Sequence, residues 1–136
     1  MNSTAKKFQY PASLLREFDH WLLLIRPVQI TLGSMVLCVK DDIFHHKDLT
    51  SKHLKELEQI YEYIETELRA KLHFEKINYL ALMMVDPHVH YHIIPRYSKP
   101  QKLHHHEFND VGWPNLPDFS KFVELKNFSE LIEFLK

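Results

Sequence analysis

From Thr50 to Leu72 the chain runs without a glycine or proline, and Leu54, Leu57, Ile60, Tyr61, Ile64, Leu68 and Leu72 recur at spacings of three and four. That period puts side chains on one face of an α-helix. Thr50 or Ser51 is placed to N-cap it, with a hydroxyl oxygen for an orphan N–H. Glu65 with Arg69 and Glu67 with Lys71 make favourable i,i+4 pairs on the wet face. A helix with one apolar stripe must lay that stripe on something, and the flanking segments are short, bulky and β-rich.

The second half of "LLREFDHWLLLIR" (14–26) suits a buried strand, and "SMVLCVK" (34–40) a second. Gly33 permits a sharp turn between them, so antiparallel pairing is expected. Beyond the helix, "KINYLALMMV" (76–85) and "HVHYHIIPRY" (88–97) read as two more strands. Asp86-Pro87 is a tight connection between them, and Pro95 marks where the last ladder ends or distorts. Residues 1–13 read as a partly ordered lead-in and "DDIFHHKDL" as loop. Residues 98–136 read as an irregular, surface-hugging segment closed by a short helix in "NFSELIEFLK". The order β-β-α-β-β implies an α+β fold with a mainly antiparallel sheet. One domain spans 1–136, with its core at about 14–97.

Composition removes several function classes. Lys and Arg total 17 against 18 Asp and Glu, which argues against a large nucleic acid held by charge but leaves room for a local basic pocket. With Cys38 alone no intrachain disulfide forms; the residue reads as small, apolar and buried, and the chain as cytoplasmic. The start of the chain has no signal-peptide pattern, and the apolar runs fall short of a membrane span. Gly33 and Gly112 are the whole glycine complement, so neither a P-loop nor a dinucleotide fingerprint can be written.

The chemistry concentrates in "DPHVHYHIIPRY" (86–97). On a strand, His88, His90 and His92 share one face at ~7 Å intervals, with Val89, Tyr91 and Ile93 facing the core. Three readings fit. Imidazoles two apart can share a metal ion, with His45-His46 or His104-His105-His106 completing the set. A neutral imidazole can instead attack phosphorus, if its other nitrogen is held by an acceptor such as a backbone carbonyl and flanking donors offset the charge growing on the phosphoryl oxygens. The third reading is a half-exposed sheet face with no role.

"HVHYHII" fits His-φ-His-φ-His-φ-φ, with φ hydrophobic, and continues into Pro-Arg. This resembles the signature of the histidine triad (HIT) superfamily of nucleotidyl hydrolases and transferases. "RPVQITLGSMVLCVK", the helix at 51–72 and the strand at 76–85 fall where that family has corresponding segments. The resemblance covers roughly residues 14 to 97, and the tail only loosely through Trp113-Pro114. It implies a HIT-like fold and cleavage at the α-phosphate of a dinucleoside polyphosphate, such as diadenosine tetraphosphate, or of a nucleoside phosphoramidate. His90 would be the nucleophile, with His88 and His92 supporting it, and a nucleotidyl-histidine would be the intermediate. Ser34, Arg26 and Arg96 are the candidate substrate-binding residues. No intrinsic metal or cofactor is implied, beyond magnesium accompanying a polyphosphate substrate, and a homodimer is implied.

The chain departs from the family pattern in three places. Gly33-Ser34 stands where members often have Gly-His. The loop before the triplet is read as cut to Val85-Asp86-Pro87. Near Arg26 an Asn that often meets the ribose is replaced. Two alternatives follow: a metal-dependent hydrolase using the histidine cluster, or a nucleotide-binding protein with little turnover. Asp86 is read as capping its turn rather than orienting His88, and His104-His105-His106 as a solvated loop.

Overall fold

A computed structural model describes residues 2–136. Helix α1 (Ser3–Lys7) precedes strands β1 (Leu14–Glu17), β2 (Trp21–Ile25), β3 (Val28–Gln29) and β4 (Met35–Val39). Helix α2 follows at 51–72, then β5 (Lys76–Leu80) and β6 (His90–Arg96). The tail carries β7 (Gln101–Leu103), β8 (His106–Phe108), β9 (Val123–Glu124) and helix α3 (Ser129–Leu135). The main sheet is antiparallel in the order β1-β2-β4-β6-β5. The α+β architecture and the closing helix are as the sequence implies.

Register places the histidines. Val36 sits opposite both His92 and Leu24, and Cys38 opposite both His90 and Leu22. Directly opposed residues share a face, so the histidines rise from the same side as Leu22, Leu24, Val36 and Cys38. Ala5 and Phe8 close over that apolar patch. On the other side Trp21, Leu23, Ile25, Met35, Leu37 and Ile93 meet Leu57, Ile60, Ile64, Leu68 and Leu72 of α2. Burial raises the Cys38 thiol pKa to about 12, consistent with its reading as a packing residue.

The structure departs from the sequence reading in several places. The second half of 14–26 is strand β2 as read, but the first half is also a strand, β1, and the two pair as a hairpin. The segment 2–13 is more than the partly ordered lead-in expected, because it holds α1, which buries Thr4 and Ala5. Helix α2 carries a π-helical stretch, Tyr63–Leu68. Its wider turn keeps the four-residue repeat Ile60, Ile64, Leu68, Leu72 on one side, whereas 3.6 residues per turn would let it drift. Leu54 and Tyr61, counted in the stripe by spacing, are exposed. Glu65 takes the Tyr79 hydroxyl at 2.6 Å instead of pairing with Arg69, whose guanidinium lies over Phe74. Lys71 donates to the carbonyl of Lys136. Thr50 caps α2 as expected, its N–H donating to His53 Nδ1 at 3.2 Å.

The run 76–85 is strand only to Leu80; Met83 adopts a positive φ, and Met84 and Val85 are exposed. The connection to β6 therefore spans 81–89, and it is not cut to Val85-Asp86-Pro87. Pro95 stays inside β6, opposite Ile77, at a point where the β4 ladder has already ended at Met35–Ile93. Its missing N–H thus costs no pairing, and its carbonyl takes the Thr31 hydroxyl at 2.5 Å.

Gly33 lies in the turn that leads into β4. It has φ +87°, and a Cβ there would lie 2.7 Å from Cδ1 of Leu72. Gly33→Ala is expected to cost about 1–2 kcal/mol from the left-handed backbone alone, read as a lower urea midpoint at unchanged slope.

Candidate active site

His90 begins β6, with its Nδ1 2.6 Å from the carbonyl oxygen of His88. A carbonyl only accepts, so the ring proton sits on Nδ1 and the neutral ring keeps its lone pair on Nε2. That is the state a nucleophilic imidazole needs.

His88 is locked differently. Its Nε2 lies 2.9 Å from Oδ1 of Asp42 and its Nδ1 2.9 Å from the Thr4 hydroxyl. The carboxylate accepts, so Nε2 carries the proton and Nδ1 accepts from Thr4. The same hydroxyl oxygen accepts the backbone N–H of His88 at 3.2 Å. Asp42 and Thr4 thereby fix the ring and hold the carbonyl that orients His90. Asp86 instead pairs with Lys7 at 3.0 Å and does not orient His88.

His92 stands edge-on to His90, with ring centroids 5.1 Å apart. Its buried Nδ1 has no partner among the described residues, and neither has the buried Nε of Arg26. Arg26 donates through Nη1 to the carbonyl of Val28 at 2.9 Å and lies 5.3 Å over the Phe119 ring. Phe119 also meets His92 edge-on at 6.2 Å, and Phe8 covers His90 and His92 from the other side. Two unsatisfied buried nitrogens beside an imidazole row suit an anionic or hydroxylated group. Burial first, then the charge of Arg26 and the neighbouring His90, pushes the His92 pKa down to about 4. Desolvation likewise lowers the Arg26 pKa.

Two residues expected to meet a ligand have partners within the chain. Ser34 is fully buried; its hydroxyl donates to the Thr31 carbonyl at 2.8 Å and accepts the Thr31 N–H at 3.0 Å, closing the turn before β4. Arg96 is also buried. It forks onto Asp110 at 2.7 and 2.9 Å and donates to Asn78 at 2.8 Å, tying β6 to β5 and the tail. Neither offers a free group to a substrate. His104 and His105 form the turn between β7 and β8 and His106 opens β8, with His104 3.9 Å from Glu130. Thr4, Phe8, Asp42 and Phe119 were not anticipated, because nothing in their local sequence signals a meeting with residues 88–92. Beside His88, at 4.9 Å ring to ring, Phe44 borders a cleft of about 430 Å³ whose far wall is the 83–87 loop.

The lowered His92 pKa has a sign that can be checked. The unfolded chain binds this proton near the ordinary value of 6.5 and the folded chain near 4. Stability is therefore unaffected above 6.5 and falls as pH drops towards 4, by at most about 1.4 kcal/mol per pH unit. Urea unfolding across that range should show the loss, and imidazole NMR should show His92 neutral at pH 6.5 and protonating only as pH approaches 4.

No protein-family model and no curated protein sequence matches the chain. Solved structures do. A histidine triad protein from Bradyrhizobium japonicum superposes with TM-score 0.73 at 17% identity, over 99% of this chain and 93% of that one. One from Sinorhizobium meliloti 1021 gives 0.72 at 16%, over 98% and 94%. A member of the HIT family from Bacillus subtilis gives 0.57 at 26%, over 65% and 67%. With structural neighbours of this kind over nearly its whole length, the chain has the histidine triad fold and carries the His-φ-His-φ-His row on the sheet face that α2 leaves free.

Proposed function

We propose that the protein is a nucleotidyl hydrolase or transferase that cleaves a phosphoanhydride or phosphoramidate at the α-phosphate through a nucleotidyl-His90 intermediate. The observation that carries this reading is the 2.6 Å bond from His90 Nδ1 to the His88 carbonyl, which leaves Nε2 as the free nucleophile. Nε2 attacks phosphorus, a P–N bond forms, and the bond to the leaving oxygen or nitrogen breaks. The leaving group takes a proton from solvent. Water then cleaves the P–N bond, releasing a nucleoside monophosphate and restoring neutral His90. His92 and Arg26 supply donors and positive charge to the phosphoryl oxygens. The cleft beside His88 would receive the leaving group. Magnesium would enter with a polyphosphate substrate.

The test is a panel of dinucleoside polyphosphates and adenosine phosphoramidates, read as monophosphate release. Release should persist with chelator on the phosphoramidates and disappear in His90→Ala. Labelled nucleotide should be trapped on the wild type and not on that variant. Arg26→Ala should lower turnover of polyphosphates more than of phosphoramidates; an unchanged ratio would remove Arg26 from the reading. A metal-dependent hydrolase is the outcome if all turnover stops with chelator.

A second reading, a nucleotide-binding protein with little turnover, is favoured by the burial of His90, which is 2% exposed beneath Phe8. Nucleotide binding without monophosphate release from any substrate would select it. The homodimer also belongs to the proposal. Among the described residues the outer edge of β5 carries no strand, and Tyr79 there meets exposed Tyr61 edge-on. Sedimentation should give twice the chain mass, and Tyr61→Asp should reduce it to the monomer.

A further inference from the structure

Away from the histidine row, His20, Asp41 and His53 place one ligand atom each within 4.8 Å of one another. We propose that these three side chains bind a divalent transition-metal ion of the zinc class, at a site separate from the proposed reaction.

The three residues come from three elements, and their backbones are already held. His20 lies in the β1–β2 turn, Asp41 just beyond β4 and His53 in the first turn of α2. Both oxygens of buried Glu56 take backbone N–H groups of that β-turn, from Asp19 at 3.1 Å and His20 at 2.7 Å. The carbonyl of His20 accepts from the N–H of Lys40 at 2.9 Å, which ties the turn to the residue before Asp41. The carbonyl of His53 accepts from the indole N–H of Trp21 at 3.0 Å. Trp21 belongs to the α2 side of the sheet, so the cluster sits across the sheet from the row.

Two imidazoles and one carboxylate suit zinc, cobalt or nickel rather than magnesium or calcium, which prefer all-oxygen shells. His53 Nε2 now lies 2.8 Å from Oδ2 of Asp41, sharing a proton that an ion would replace. Bond lengths of about 2.0–2.2 Å to a tetrahedral ion place donors roughly 3.3 Å apart. The pair must therefore open slightly and His20 must close in. Asp41 is 57% exposed at its side chain and His20 is half-buried, so both are free to adjust. When Nε2 takes the ion, the ring proton moves to Nδ1, where the Thr50 hydroxyl oxygen waits at 2.8 Å as acceptor. The 3.2 Å bond from the Thr50 N–H is then given up. Water on the solvent side completes the shell. Asp42, which orients His88, is the next residue, so an ion at Asp41 would clamp the chain that carries it.

Chelator-treated full-length protein is titrated with Co(II) and Zn(II), following the visible d–d bands of Co(II), ion stoichiometry and the thermal midpoint. Wild type should bind one ion per chain, with four-coordinate cobalt absorption and a metal-dependent rise in midpoint. His20→Ala and Asp41→Asn should each weaken binding by about tenfold or more, judged on the metal-dependent shift rather than on the midpoint without metal. His90→Ala and His92→Asn should bind as wild type does. No metal-dependent shift in the wild type overturns the proposal. So does a shift that survives both His20→Ala and Asp41→Asn, or one lost in His92→Asn, which would move the ion to the catalytic row.

Discussion

The pairing of β6 with β4 is the constraint from which the site follows. Val36 faces His92 and Cys38 faces His90. Because side chains alternate along a strand, a slip of one residue would send the histidines under α2 and bring Tyr91 and Ile93 out to the other side. Register is held from both directions: Ile93 and Leu37 are buried among the α2 leucines and isoleucines, and Val36 and Cys38 are buried beneath α1. The apolar core thus acts on the chemistry by deciding which way three imidazoles point.

Once they share a face, the three rings are made unequal by what they touch. His88 has both nitrogens engaged, by Asp42 and Thr4, and contributes its carbonyl to the next histidine. His90 has one nitrogen engaged and one free. His92 keeps an unpartnered Nδ1 beside the equally unpartnered Nε of Arg26. Chemically identical groups at two-residue spacing therefore acquire different tautomers and different free nitrogens, because a buried imidazole places its proton toward its nearest acceptor. Consecutive Asp41 and Asp42 are separated in the same way, one carboxylate reaching His53 and the other His88.

Legibility in the sequence depended on how local each signal was. The α2 stripe and the antiparallel pairing of β2 with β4 were readable, since helix period, strand composition and a turn glycine are all local. So was the common face of His88, His90 and His92. The run 81–85 was misread, because its apolar residues look like strand while no neighbouring strand extends to pair with them. Arg96 was named as a substrate contact from its place in the motif, and Ser34 from the Gly33-Ser34 pair that stands where the family often has Gly-His. Their real partners, Thr31 and Asp110, became visible only when the turn and the tail were folded.

By itself the sequence determined the α+β class, the long helix, the shared face of the histidines and the absence of any glycine-rich phosphate cradle. These rest on periodicities of two and about four residues and on composition, which short-range stereochemistry converts directly into structure. Tertiary structure alone decided that α1 and Phe119 come to the row, that Asp42 and Thr4 set the tautomer of His88, and that His20, Asp41 and His53 converge. Such contacts join residues as far apart as Thr4 and His88. They form only because burying both faces of one sheet draws distant segments together, and no local pattern encodes a partner that far along the chain.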